Sequence, residues 1–338
     1  MAKRAHPREE DVRIRPARST RPRTKDRPDY SGAVQAYAIA VDRGRITCLV
    51  NDELVVTAMR ARELGKKSVV VGDHVGLVGD TSGAEGTLAR IVTVNPRRNA
   101  LTRTVDDSAE LERMIVSNVD QMAIVIAAAN PEPREGLVDR ALVVAFDQGI
   151  APVIILTKTD LLEEKSAREK ITAFLSGYRA IDIPVIETKR GADISAIRDL
   201  LAGKVTVLLG HSGVGKSTLV NALVESADRV TGIVNEVTGR GRHTSSSAVA
   251  LALDSADGRA GGWIIDTPGV RSFGVSHVDA NRVLGAFSEF REYLDRCPKN
   301  CSHDEVGCAL NELDGASNRG TEIRLDSLRR ILKGSKSE

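Results

Sequence analysis

A strand-like segment at 204–209 runs directly into Gly210-His211-Ser212-Gly213-Val214-Gly215-Lys216-Ser217-Thr218, and a helical pattern begins at Lys216. This stretch fits G-x-x-x-x-G-K-[ST], and few folds can host it. A strand must deliver the chain to the loop, and glycines must turn successive N–H groups inward. A helix must then begin where its positive end meets an anion. Such a loop cradles the phosphates of a nucleotide: Lys216 bridges the β- and γ-phosphates, and the Ser217 hydroxyl is placed for Mg²⁺.

On both sides of this loop, apolar runs of strand length alternate with helical stretches. Met122–Ala129, Pro152–Leu156, Pro184–Glu187 and 204–209 read as strands, and 135–148, 161–177 and 193–202 read as helices. Strands that are apolar on both faces and separated by helices build a parallel sheet covered on both sides. Several strand ends carry polar signals. Thr157-Lys158-Thr159-Asp160 ends one strand. The Asp160 carboxylate can accept both N1–H and the exocyclic amine of guanine, which adenine cannot offer at that edge. Lys158 can lay its methylene stem over the purine. Glu187-Thr188-Lys189 ends the next strand, where a backbone N–H could meet guanine O6.

Asp266-Thr267-Pro268-Gly269 follows the apolar run Trp263-Ile264-Ile265. Asp266 can hold Mg²⁺ through water, and the Gly269 N–H can sense the γ-phosphate. Between the two phosphate-side segments lies Gly239-Arg240-Gly241-Arg242-His243-Thr244, with Thr244 expected as the second Mg²⁺ ligand. Ordinary GTPases orient the attacking water with a Gln after the DxxG segment. Here Val270, Arg271 and Ser272 follow Gly269, so His243 becomes the internal candidate for that task. Lys216, His243 and Thr244 form the expected catalytic set, with turnover slow until a partner acts.

Together these pieces resemble the GTPase set of motifs, in a circularly permuted order. The base-reading segments at 157–160 and 187–189 precede the phosphate loop at 210–218, and Asp-Thr-Pro-Gly comes last. Downstream, Cys297-x₃-Cys301-x-His303-x₄-Cys308 offers three thiolates and an imidazole, a full tetrahedral set for structural zinc. Upstream, short β-rich runs at Ala36–Val41, Ile46–Val50, Leu54–Thr57, Ser68–Val71, His74–Gly79 and Thr87–Val94 suggest a small closed barrel, OB-like or SH3-like. Arg97, Arg98 and Arg103 are expected on its rim. Taken together, the chain resembles the bacterial small-subunit-dependent GTPase A family, RsgA/YjeQ, over roughly residues 33–335.

The resemblance implies a GTPase that binds the small ribosomal subunit and its rRNA and acts late in that subunit's maturation, stimulated by it. Its cofactors would be Mg²⁺ and one structural Zn²⁺. Gly-Arg-His-Thr and Asp-Thr-Pro-Gly are expected in the family and both are present. Two departures stand out: Thr157 occupies the usual Asn position, and each long gap of the zinc segment is one residue shorter than the family pattern. The expected fold class is multidomain. A disordered basic arm (1–30) precedes an OB-like β-barrel (31–105). A central α/β P-loop GTPase domain with circularly permuted motifs (106–277) and a helical zinc-binding domain (278–338) follow. A γ-phosphate contact at Gly269 could then reorient the zinc domain, because few residues separate them.

Charge and composition narrow the partners. The net charge of +2 divides into +5 on residues 1–30 and −3 on the rest, a slightly acidic body with a basic arm. One Trp, four Tyr and five Phe are too few for a protein that stacks many loose bases, so a folded RNA surface is the expected target. The longest apolar run, Met122 to Ala129, is too short to span a bilayer, and no apolar stretch follows the N-terminal charges as a secretory signal requires. A cysteine cluster with ligand spacing and no disulfide framework suits the cytoplasm. A monomer is expected. Alternative readings are another P-loop NTPase acting as an RNA-binding factor, with the nucleotide as a conformational switch, and a non-enzymatic RNA binder carrying a static nucleotide.

Overall fold

The computed structural model describes residues 29–42, 44–64, 69–104, 112–224, 248–253, 261–267, 280–285, 287–315 and 319–334. Most of the arm, the Gly239–Thr244 segment with His243, and Gly269 lie outside the described residues.

Alternation of small and branched apolar residues builds the first unit. β1 (Val34–Asp42), β2 (Arg45–Val50), β3 (Leu54–Arg60), β4 (His74–Gly79) and β5 (Ala89–Val94) point Ala36, Ala38, Ile46, Cys48, Val56, Ala58, Val75, Leu77 and Ile91 into one buried cluster. β1 pairs with both β2 and β4, β3 runs parallel to β5, and the ring closes in the order β1-β2-β3-β5-β4. This is the OB-like barrel. Closure removes the unpaired edges that five short strands would otherwise present. Cys48 is a core residue whose thiol burial pushes up to about 12, so it is inert. The expected strand at 68–71 is reduced to a single bridge from Val71 to Val116 among the described residues.

The second sheet follows from uniformly apolar strands. β8 (Gln121–Ala127) is buried along its whole length, as a strand covered on both faces must be. β9 (Ala151–Thr157), β10 (Val185–Glu187), β11 (Val205–Leu209) and β13 (Gly262–Asp266) run parallel to it, and β12 (Val249–Leu253) pairs antiparallel with β13. The order across the sheet is β10-β9-β8-β11-β13-β12. Helices α1 (Glu135–Asp147), α2 (Lys165–Ala180), α3 (Ser195–Leu201) and α4 (Lys216–Val224) supply the crossovers. Residues of β8 alternate: Ala123, Val125 and Ala127 pack with α3 and α4, while Met122, Ile124 and Ile126 pack with α1 and α2. Between barrel and sheet, β6 (Ala100–Thr104) and β7 (Glu112–Ser117) form a hairpin that the sequence did not suggest.

A buried carboxylate organises this junction. Asp73, with no exposed surface, accepts the Val70 N–H at 2.9 Å, the Ser117 hydroxyl at 2.7 Å, and Arg97 through Nε at 2.6 Å and Nη2 at 2.7 Å. Arg97 is therefore turned into the protein, which corrects its expected place on the basic rim. Arg98 is the exposed one, paired with Asp120 at 2.8 Å.

The C-terminal helices α5 (Ala280–Gly285), α6 (Arg291–Leu294) and α7 (Arg319–Gly334) share the GTPase-side core. Phe287, Phe290, Leu310, Leu325, Leu328 and Ile331 belong to the same apolar cluster as α1 and α2. Within it Arg330 reaches Asp139 of α1 at 2.8 Å, and Tyr178 of α2 donates to the other oxygen of Asp139 at 3.0 Å. Burial raises the Asp139 carboxyl above its ordinary value, and the Arg330 charge opposes that rise. Freely swinging this unit would break a common core and a buried ion pair, so the expected reorientation of the zinc segment finds no support in this packing.

Candidate functional site: a phosphate loop at the strand ends

β9, β10, β11 and β13 all deliver their polar signals to the same carboxyl edge of the sheet, the place where open α/β sheets bind ligands. The phosphate loop leaves β11 and enters α4. Gly213 (φ +82°) and Gly215 (φ +91°) hold left-handed backbone that a side chain would strain, and a Cβ on Gly210 would lie 2.5 Å from the Val125 carbonyl. The Gly215 carbonyl takes the Leu219 N–H at 3.0 Å, which opens α4 directly behind the loop. Ser212, Ser217 and Thr218 are exposed, while Val214 anchors the loop in the core and His211 is half-buried.

Thr157 joins this loop to the carboxyl end of β9. Its hydroxyl lies 2.5 Å from the Val214 carbonyl and 3.1 Å from the Ile126 carbonyl, and its single proton serves one of them at a time. Lys158 adopts a left-handed conformation and Thr159–Leu161 form one 3₁₀ turn, so the chain presents Asp160 outward at the strand end. The Thr159 hydroxyl donates to the Thr188 carbonyl at 3.2 Å, and the Thr188 N–H reaches the Leu156 carbonyl at 2.7 Å, which ties the ends of β9 and β10 together. Glu187 is paired with Arg179 at 2.9 Å, and Lys189 is exposed. Sequence reasoning missed the connection after β8. Lys158 Nζ donates to the Asn130 carbonyl, and Pro131 lies 3.9 Å from where a Cβ on Gly213 would be. An Asn-Pro pair directly after an apolar run is a turn signal and could have been read as a wall of the crevice.

On the phosphate side, Lys216 Nζ lies 3.0 Å from Asp266 Oδ1, an ion pair with both partners largely buried. That oxygen is buried and receives no well-aligned hydrogen bond, so the contact is electrostatic. A carboxylate oxygen held this way suits a water ligand of Mg²⁺, and the exposed Ser217 hydroxyl at the helix start suits direct ligation. Thr267 is buried, and its hydroxyl donates to the Leu208 carbonyl at 3.1 Å, fixing the end of β13 against β11.

In the C-terminal segment, Cys297, Cys301, His303 and Cys308 bring their ligand atoms within 4.8 Å of one another. Cys297 and Cys308 sulfurs are 3.7 Å apart. Two thiolates at about 2.3 Å from a tetrahedral zinc would stand about 3.8 Å apart, so the separation fits the ion. Desolvation pushes the Cys301 thiol up to about 12 without a metal charge, and the His303 N–H donates to its sulfur at 3.4 Å. Asn300 and His303 both take positive φ, which lets so short a spacing fold back on itself. Shortened gaps thus remain compatible with a four-ligand site.

The geometry agrees with what the chain is similar to. The RsgA GTPase family model matches residues 94–276. The small ribosomal subunit biogenesis GTPase RsgA of Pseudomonas aeruginosa PAO1 is 40% identical over 271 residues, covering 78% of this chain and 75% of the relative. The Shewanella oneidensis protein of the same name is 38% identical over 271 residues, covering 78% and 74%. Among solved structures, YjeQ from Thermotoga maritima aligns with a TM-score of 0.64 at 22% identity, covering 90% of this chain and 99% of that one. YloQ, a circularly permuted GTPase, aligns at 0.60 and 23%, covering 92% and 99%. The structural likeness shows the permuted fold, and the sequence identity, sustained over most of both chains, shows that this chain belongs to the RsgA GTPase family.

Proposed function

We propose that the chain hydrolyses GTP to GDP and phosphate on the small ribosomal subunit, late in that subunit's maturation. The observation that carries this reading is the Thr157–Val214 bond, which joins the base-reading strand end to the phosphate loop at one edge of the sheet. In this reading Asp160 and Lys158 hold guanine, with Thr157 and Thr159 positioning them and Glu187, Thr188 and Lys189 closing the far side. Gly210 to Thr218 cradle the phosphates through backbone N–H groups and the α4 N-terminus. Lys216 leaves Asp266 for the β- and γ-phosphates. Mg²⁺, which neutralises charge on those phosphates, would be held by Ser217, by Thr244 and, through water, by Asp266. Gly269 reports the γ-phosphate, and His243 is our candidate for orienting the attacking water.

Cys297, Cys301, His303 and Cys308 hold one structural Zn²⁺ with no open position for chemistry. The barrel (31–105) and the basic arm (1–30) face rRNA, the segment 106–277 is the GTPase, and 278–338 carries the zinc. We place the protein in the cytoplasm, as a monomer. Asp160 makes the reading testable by nucleotide competition. GDP and GTP should displace a labelled guanine nucleotide while ADP and ATP do not. Asp160→Asn should lose guanine affinity and gain xanthine affinity, because an amide donates where xanthine presents a carbonyl. Equal competition by ATP would refute it.

A further inference from the structure

The barrel and the GTPase sheet meet along one strand edge. β1 closes the barrel through β2 and β4, yet its Ala40 also pairs with Val249 of β12, and Val249 stands opposite Asp266 of β13. One register line therefore runs Ala40–Val249–Asp266, from the barrel wall to the carboxylate beside Lys216. β12 begins five residues after Thr244. The seam thus connects β1 to the Asp266 end of β13.

Side chains cross the same seam. Along β1, Ala36 and Ala38 point into the barrel, while Tyr37 and Ile39 belong to the core shared with the GTPase sheet. The Tyr37 ring lies 5.4 Å from that of Trp263 on β13 and 5.2 Å from that of His74 on β4. His74 is exposed on the barrel surface, and Trp263 stands three residues before Asp266. The three rings thus form a line of tilted contacts, at interplanar angles of 48° and 50°, from the outside of the barrel to the strand that ends at Asp266. Tyr37 is buried, and its hydroxyl has no hydrogen-bond partner among the described residues. The position is therefore using the ring, not the hydroxyl.

We propose that Tyr37 and Trp263 are positioning residues for the partner-stimulated step alone: their tilted ring contact carries a displacement of the barrel, imposed by its RNA partner, to the Asp266 end of β13. This rests on the proposed reading that the small ribosomal subunit is the partner that stimulates hydrolysis. The same contact is taken to couple RNA binding to nucleotide binding, and coupling of binding free energies is reciprocal, so the nucleotide acts on the seam in turn.

Trp263 is the sole tryptophan of the chain, and its emission reports the seam directly. In the full chain without ribosomes, emission should differ between GDP and a non-hydrolysable GTP analogue. Tyr37→Leu should keep basal GTP hydrolysis within about twofold and keep small-subunit affinity, while the stimulated rate falls at least fivefold. Tyr37→Phe, which retains the ring and removes no bond, should restore stimulation. Unchanged emission between the two nucleotides overturns the proposal. So does a Tyr37→Leu protein that is fully stimulated, or one whose basal and stimulated rates fall together. If the unmodified chain is not stimulated by small subunits, the functional reading fails, and the emission difference still decides the seam.

Discussion

In the proposed reading Thr157 takes a position that guanine-reading loops usually give to Asn, and its hydroxyl joins the end of β9 to the phosphate loop through the bond to Val214. A net contribution of about 1–1.5 kcal/mol for such a bond corresponds to roughly tenfold in affinity. Thr157→Val should therefore weaken GDP binding by about that factor in a titration, without admitting adenine nucleotides. Thr157→Ser should hold near the parent value. That these residues gather at a strand end was legible in the sequence, because a polar cluster closes an apolar run there. Arg97 was not legible: as a basic residue after the last barrel strand it read as a rim contact, and only Asp73, far away in sequence and fully buried, explains its inward turn. The role of the Asn130 carbonyl was equally hidden, since a backbone acceptor leaves no mark on residue type.

At the scale of elements, α7 is where stability and organisation meet. Arg330 pairs with Asp139, which Tyr178 also engages, and Arg324 donates to the Ala180 carbonyl at the end of α2, so one helix bolts the C-terminal segment to α1 and α2. Removing one member of a buried pair strands the other charge, and about 3 kcal/mol is expected for Arg330→Ala in urea unfolding, the low end because Arg330 is partly exposed. The double change Asp139→Leu with Arg330→Met should recover most of that loss. The proposed zinc site adjoins the same core, because Cys308 and Leu310 belong to it. Stripping the metal with a chelator should lower the thermal midpoint of the whole cooperative unit, and metal analysis should return one zinc per chain. A midpoint unmoved by chelation would contradict a structural role. Strands β8, β9 and β11 were readable because burial on both faces demands uninterrupted apolar residues. β6 and β7 were not, since a two-stranded hairpin with mixed polar sequence, Ala100–Thr104 against Glu112–Ser117, carries no clean period. α2 begins at Lys165 because the left-handed Lys158 and the following 3₁₀ turn spend the earlier residues presenting Asp160.

For the whole molecule, the permutation becomes a simple topological fact. Counting the GTPase strands from β11, the sheet order is 2-3-1-4-5-6, so the chain merely opens the ring of connections before β8. That choice places the barrel ahead of β8 and lets its first strand close the far edge against β12, within reach of Asp266. The α/β core and the motif order were visible in the sequence. The joining of barrel and core into one eleven-stranded sheet was not, because a pairing between residues 40 and 249 leaves no local pattern. The small net charge was likewise a poor guide until divided, since a basic arm offsets an acidic body. An RNA-dependent switch predicts steep salt sensitivity: raising salt severalfold should abolish stimulation while leaving basal hydrolysis nearly unchanged. The most direct test of the central claim is single-turnover GTP hydrolysis by the full chain, with and without purified small ribosomal subunits at low salt. The account predicts slow hydrolysis alone and at least a tenfold acceleration with subunits; identical rates, or acceleration of ATP hydrolysis instead, would contradict it.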